Sequence, residues 1–216
     1  MFLSFIVPVY NTEKYLAECL DSLLEQDIPW EDYEIICIND GSTDGSQKVL
    51  DSYHEKHINV KIVQTENNGV SNARNIGIES AHGDYIWMVD SDDFVARHVL
   101  ADLQNEVCKN SPDIIDFGAY TFNEKLSTSE ITAYSKNELH PTSFANHVYI
   151  TRSLFKMEFL QKNKIRFDPN IAYSEDSLFK CECLLCKPYV LRLNKAYYFF
   201  RFRNGSSVSL STKLAI

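Results

Sequence analysis

The sequence predicts an α/β fold: a mostly parallel central sheet with helices on both faces. Three observations predict that sheet. Short apolar, β-branched runs alternate with stretches whose apolar residues recur at helical spacing. The runs are continuously apolar, as strands buried on both faces are. The three main runs end in "PVYN", "NDGS" and "DSDD". That is the carboxyl edge of such a sheet, where ligands bind.

The elements follow in order. "LSFIVPVY" reads as the first strand. In "TEKYLAECLDSLLEQ", Tyr15, Leu16, Cys19, Leu20, Leu23 and Leu24 share one helical stripe. Asn11 or Thr12 can cap that helix, and Glu13 suits its first turn. "EIICIND" is a second strand, Gly41, Ser42 and Thr43 turn the chain, and "DGSQKVLDSYHEK" is a second helix. "VKIVQT" is a third strand and "ENNG" a loop. Ser71 is the expected cap of "NARNIGIESAH", whose Ala73, Ile76, Gly77 and Ser80 form a small-residue face, and Gly83 its expected stop. "DYIWMV" is the next strand. Further on, "HVLADLQNEVCKN" reads as a helix and "DIIDFGAYTF" as a strand. "FNEKLSTSEITAYSKNELHPTS" is polar and irregular, a loop or hairpin over the site, with His140 and His147 structural.

Composition bounds the function. The chain has 216 residues, enough for one large domain or a domain with an appended lobe. A net charge of -9 argues against a nucleic-acid binder. No apolar run approaches the roughly 20 residues of a membrane span. "MFLSFIVPVYN" lacks a basic leader and a small-residue cleavage site, so no signal peptide is expected. Cys19, Cys37 and Cys108 sit alone in apolar patterns, as reduced core thiols of a cytosolic protein do. In "CECLLC", Cys181, Cys183 and Cys186 lack the paired spacing of a zinc site. Phe179, Cys183 and Cys186 recur at helical spacing, as do Leu178, Cys181 and Leu185, which predicts buried helix faces instead.

"YIWMVDSDDF" poses the chemical question. A buried strand ends on Asp90, Asp92 and Asp93, and like charges this close repel. Either the acids form a solvated turn, or a cation neutralises them. Convergence of three polar strand ends on one rim favours the cation. A hard divalent ion, Mg²⁺ or Mn²⁺, suits carboxylates and is commonly completed by substrate phosphates.

"FIVPVYNTEKYLAECLDSLLEQ", "EIICINDGSTDGS", "NNGVSNARNIGIESAHGDYIWMVDSDD" and "SEDSLFKCECLL" resemble, in order and spacing, the inverting nucleotide-sugar glycosyltransferases of family 2, which have the GT-A fold. The resemblance covers most of the chain and is weak from about Asp113 to Asn146. It implies a nucleotide-binding stretch of Pro8, Val9, Tyr10 and Asn11, which holds the nucleoside through backbone groups. It makes Asp40 the acceptor for the uracil N3–H; the plainer reading is that Asp40 and Ser42 shape a turn. Arg74 takes a base- or phosphate-facing position, against the plainer reading of a surface ion pair. "DSD", Asp90, Ser91 and Asp92, matches the DXD motif. Asp92 would ligate the metal and Asp90 would reach the ribose or the metal shell. "YSED" matches the ED motif, with Asp176 as catalytic base and Glu175 as its neighbour; capping by Ser174 is the plainer reading.

The resemblance also implies a partition: residues 1–93 form a nucleotide-sugar-binding half and residues 94–216 an acceptor-side half. "YITRSLFKMEFLQKN" resembles the acceptor-side helix, and "KAYYFFRFRNGSSVS" the closing strand with a flexible basic tail. Arg201 and Arg203 are candidates to reach the diphosphate or an anionic lipid acceptor, or else lie exposed on an aromatic strand. Many relatives continue past "STKLAI", so a truncated or minimal member is expected. The expected activity is transfer of a sugar from a nucleotide donor, UDP-linked, to a hydroxyl of a carbohydrate or lipid-linked glycan. The expected setting is cytoplasmic polysaccharide synthesis, with room for a peripheral membrane contact. The alternatives are a sugar nucleotidyltransferase, which needs a glycine- and basic-rich loop where "PVYNTEKY" stands, and a non-catalytic nucleotide-sugar binder.

Overall fold

The computed structural model describes residues 1–123 and 149–202. Most of the polar stretch expected over the site, with His140, His147 and Arg203, lies outside the described residues. The first half alternates as its patterning predicts. Strand β1 (Leu3–Val9), helix α1 (Glu13–Leu24), β2 (Tyr33–Asp40), α2 (Ser46–His54), β3 (Val60–Thr65), α3 (Val70–Ser80) and β4 (Tyr85–Met88) follow in order. Strand β1 runs parallel to both neighbours, with Leu3 opposite Tyr33 of β2 and Tyr85 of β4. Strand β3 adds in parallel beyond β2. Parallel register carries Val9, Asp40 and Thr65 to one rim.

The second half is mixed. Strand β5 (Phe94–Val95), α4 (Leu100–Asn110), β6 (Ile114–Asn123), β7 (Ser153–Lys156), α5 (Met157–Lys162), α6 (Glu175–Leu185) and β8 (Val190–Phe202) complete the described residues. The eight strands of the described residues join one sheet in the order β3-β2-β1-β4-β7-β6-β8-β5. Strand β7 is antiparallel to β4 and to β6, whereas β6 and β8 are parallel. One expectation is corrected here. "YITRSLFKMEFLQKN" is not one helix but a 3₁₀ turn at Ile150–Arg152, strand β7 and the short α5. Ser153, Leu154 and Phe155 are all buried between β4 and β6, so sheet pairing overrides helical spacing.

Two apolar layers cover the sheet. Leu16, Leu20 and Leu23 of α1, Leu50 of α2 and Leu100 and Leu103 of α4 pack with Phe5, Val7 and Val9. Ala73 and Ile78 of α3, Leu160 of α5 and Phe179 and Cys183 of α6 pack with Ile6 on the opposite face. The split follows the period of two in β1. Helix α3 lies so close that a Cβ at Gly77 would stand 2.2 Å from Ile6 Cγ2.

Local chemistry departs from expectation in three places. Helix α3 starts at Val70, so Ser71 falls inside its first turn rather than at its cap. Its buried residues include Ala73, Arg74, Gly77 and Ile78, leaving Ile76 and Ser80 only partly buried. Gly83 does not stop α3, which already ends at Ser80. Its role is close approach: a Cβ there would lie 2.5 Å from the Ser4 backbone nitrogen. In α6, Phe179 and Cys183 are buried, but Cys181, Cys186 and Leu185 are exposed. The second apolar face does not exist, because only one side of α6 meets the sheet. Cys108 is exposed as well, while Cys19 and Cys37 are core thiols.

Candidate active site

The first loop past the rim starts at Pro8, still paired with β2, and Val9, which is buried. Tyr10 is exposed. Asn11 has φ of 53°, a left-handed backbone that asparagine tolerates. Its side-chain oxygen accepts from the Thr43 N–H at 2.8 Å, and its own N–H donates to Ser42 Oγ at 3.2 Å. Thr12 stands at the N-cap of α1 but makes no side-chain cap bond. Its N–H donates to Ser46 Oγ, and its hydroxyl donates to Ser91 Oγ at 3.0 Å. Side chains and amides thus knit the first, second and fourth strand ends together.

Asp40 is buried at the end of β2. Its two oxygens accept the N–H groups of Asn68 at 2.9 Å and Gly69 at 3.0 Å. Asp40 therefore shapes the loop ahead of α3 across the rim, not only its own turn. Each oxygen keeps a lone pair for a further donor.

Three acids follow β4. Asp90 is about one-third exposed at its side chain. Ser91 is buried, and the Asp92 backbone carbonyl accepts from Arg201 Nε at 2.8 Å. Asp93 is the residue whose role the sequence does not reveal. It is buried, accepting from the Tyr198 hydroxyl at 2.8 Å and the Arg201 N–H at 2.7 Å. Burial, then Asp90 and Asp92, push Asp93 up to about 8. Asp93 therefore holds its proton near neutral pH, and the negative charge of this turn, which a cation would offset, falls on Asp90 and Asp92. Asp90 and Asp92 are the carboxylates at the rim that would meet one. Among the described residues no three His, Cys, Asp or Glu side chains converge as a ready-made metal cage. Two carboxylates are enough for an ion that arrives with phosphate oxygens.

Arg201 is neither exposed nor free for a diphosphate. Its guanidinium pairs with Glu18 and lies over the Tyr15 ring at 4.9 Å while bracing Asp92. Strand β8 carries it there, so the closing strand clamps the acidic turn from behind.

Arg74 departs from the plainer reading of a surface ion pair. It is not at the surface. Its side chain is only 6% exposed, with one amino group 3.0 Å from Asp90 Oδ1 and the other 2.7 Å from Glu175 Oε1. Burial pushes the Arg74 guanidinium down, but Asp90 and Glu175 together outweigh it and hold the group above its ordinary value. The Phe167 ring lies 5.3 Å from the guanidinium and stacks on Phe179 of α6 at 4.1 Å. Asn75 and Phe167 exchange two further hydrogen bonds, at 2.8 and 2.9 Å. Helix α3 thus carries the link between the acidic turn and the start of α6.

Ser174 stands at the N-cap position of α6, with φ of 61° and no cap bond from its side chain. Asp176 Oδ1 instead accepts the Ser177 N–H at 2.7 Å. Burial raises the Asp176 carboxyl; the Ser177 bond opposes this, Glu175 and Asp90 add to it, and Arg74 opposes it. A half-buried carboxyl raised in this way is a better proton acceptor than a solvated one.

The chain belongs to glycosyl transferase family 2, whose profile matches residues 4–177. It is 33% identical to EpsJ, a glycosyltransferase of Bacillus subtilis, over 99% of this chain and 64% of that protein. It is 35% identical to a Haemophilus influenzae glycosyltransferase, over 99% of this chain and 84% of that one. The fold matches the crystal structure of Staphylococcus aureus TarS 1–349 bound to UDP-GlcNAc, with a TM-score of 0.80 and 29% identity, covering 97% of this chain and 61% of that one. The sheet is therefore of GT-A type. The chain spans about two-thirds or less of EpsJ and of the TarS structure.

Replacing Arg74 with Met should leave two carboxylates facing each other without a cation. Breaking a buried pair costs about 3–5 kcal/mol, and the part-exposed Asp90 places this case near about 3 kcal/mol. Chemical denaturation of the ligand-free protein measures it; a loss under about 1 kcal/mol would contradict the pairing.

Proposed function

We propose that this chain transfers a sugar, with inversion, from a nucleotide-sugar donor to an acceptor hydroxyl. The donor is UDP-linked and the acceptor a carbohydrate or lipid-linked glycan. The observation that carries this reading is the Arg74 bridge, which brings the "DSD" turn and the "SED" helix start, far apart in sequence, to one place. A donor-side acid and an acceptor-side base must face one sugar carbon from opposite sides, and the bridge supports that arrangement.

In this reading residues 1–93 bind the donor and residues 94–216 form the acceptor side. Pro8 to Asn11 frame the nucleoside, and Asp40 offers its remaining lone pairs to uracil N3–H while it holds Asn68 and Gly69. Asp92 and Asp90 would hold Mg²⁺ or Mn²⁺. When bound, the ion supplies Lewis-acid stabilisation of the charge on the departing nucleotide. Arg74 adds positive charge beside that position without leaving its carboxylates. Asp176 accepts the proton of the attacking hydroxyl, and Glu175, held by Arg74, keeps α6 in place. Inversion requires the base on the face opposite the leaving group. The UDP-GlcNAc complex of TarS supports a UDP-linked donor. That relative's name, poly(ribitol-phosphate) beta-N-acetylglucosaminyltransferase, supports a polymer acceptor. Six free cysteines, three of them buried, support a reducing, cytoplasmic setting. No described helix is long and apolar enough to cross a membrane, and a peripheral contact belongs to the acceptor side of the proposal.

Two measurements test this reading. UDP with Mn²⁺ should raise the melting temperature more than UDP with chelator. A ligand at 100 times its Kd adds about 2.7 kcal/mol. Equal shifts in the two conditions would remove the metal role of Asp92 and Asp90. Separately, Asp176→Asn should lower kcat by about 10²- to 10⁴-fold and leave donor affinity nearly unchanged. Near-normal turnover would remove Asp176 as the base.

A further inference from the structure

Helix α6 buries one stripe, made of Phe179, Lys180 and Cys183. Asp176 extends that stripe by one turn, because positions three, four and seven residues apart share a helix face. The rotation of α6 about its axis therefore decides where the Asp176 carboxyl stands. Apolar contacts define that rotation loosely, since they lack direction. Phe179 supplies contacts of this kind, stacked on Phe167 and edge-on to Phe155.

Lys180 supplies directed contacts. Its side chain is fully buried, with Nζ 2.5 Å from Asp116 Oδ1 on β6. Nζ also donates to Ser153 Oγ on β7 at 2.7 Å, and the Ser153 hydroxyl donates to Asp116 Oδ1 at 2.7 Å. The Phe155 ring centroid lies 4.9 Å from Nζ. One ammonium is thus fixed against two adjacent strands. Burial pushes the Lys180 ammonium below its ordinary value, and Asp116 opposes that. An apolar side chain would avoid this desolvation cost, and buried ion pairs are often no more stable than apolar replacements. Stability alone therefore leaves this lysine unexplained.

We propose that Lys180 is a positioning residue: its bonds to Asp116 and Ser153 set the rotation of α6 and so hold Asp176 at the acceptor hydroxyl. The proposal rests on Asp176 as the base. Small misplacements of a reacting group are costly: about 1 Å can cost about 10²-fold.

Steady-state sugar transfer tests it with Lys180→Met, with Lys180→Met combined with Asp116→Asn, and with Asp176→Asn as reference. The double variant removes the orphaned charge, so it recovers melting temperature even where the single variant folds poorly. Both Lys180 variants should lose about 10- to 100-fold in kcat, with donor KM within about twofold. Recovery of kcat together with melting temperature in the double variant would show a purely structural lysine and overturn the proposal. Wild-type kcat in Lys180→Met beside an inactive Asp176→Asn would overturn it alone. Near-normal turnover in Asp176→Asn would instead overturn the base assignment on which it rests.

Discussion

Arg74 lies where two acidic clusters would otherwise repel each other. Asp90, Asp92 and Asp93 follow the fourth strand, and Glu175 and Asp176 begin the sixth helix, on a chain of net charge -9. Two unit charges about 4 Å apart interact by about 4 kcal/mol at an effective dielectric near 20. Repulsion of that size would open the site unless a cation stood inside it. The guanidinium is the right cation because its planar fork can meet two carboxylates at once. Its aromatic neighbour Phe167 and the paired amide of Asn75 fix the helix that delivers it.

The same need for countercharge and directed bonds explains the rest of the rim. Burial favours a protonated Asp93, which the Tyr198 hydroxyl and the Arg201 amide hold in place. Arg201 holds the turn from the far strand, and Thr12 and Ser91 hold it from the first helix. Asp40 spends its oxygens on the loop before α3, and that loop places Arg74. Of the acids in this turn, Asp90 and Asp92 are left at the rim, and these are the two to which the proposed function gives the cation.

The first half of the fold was legible because parallel strands buried on both faces leave long apolar runs, and their ends carry "PVYN", "NDGS" and "DSDD". Strand β7 was not legible. Four residues inside "YITRSLFKMEFLQKN" carry no signal stronger than the helical spacing around them, and only β4 and β6 make them a strand. The motifs named Asp90, Glu175 and Arg74, but no spacing could show that they meet. Lys180 was hidden for a related reason. A lysine in an amphipathic pattern reads as solvated, and its partner Asp116 comes from a strand that reads as core. The second apolar face of α6 failed because periodicity tells which residues share a face, not which face the sheet covers.

A double-mutant cycle in the ligand-free protein tests the bridge most directly. Stabilities of wild type, Asp90→Asn, Glu175→Gln and the double variant would be compared by denaturation. Either single change leaves Arg74 one carboxylate, whereas the double change leaves a buried cation with neither. The account predicts that the double variant loses more than the sum of the singles, by about 0.5–3 kcal/mol, the range for residues in one network. Additive losses would show that Asp90 and Glu175 do not share Arg74, and would contradict the account.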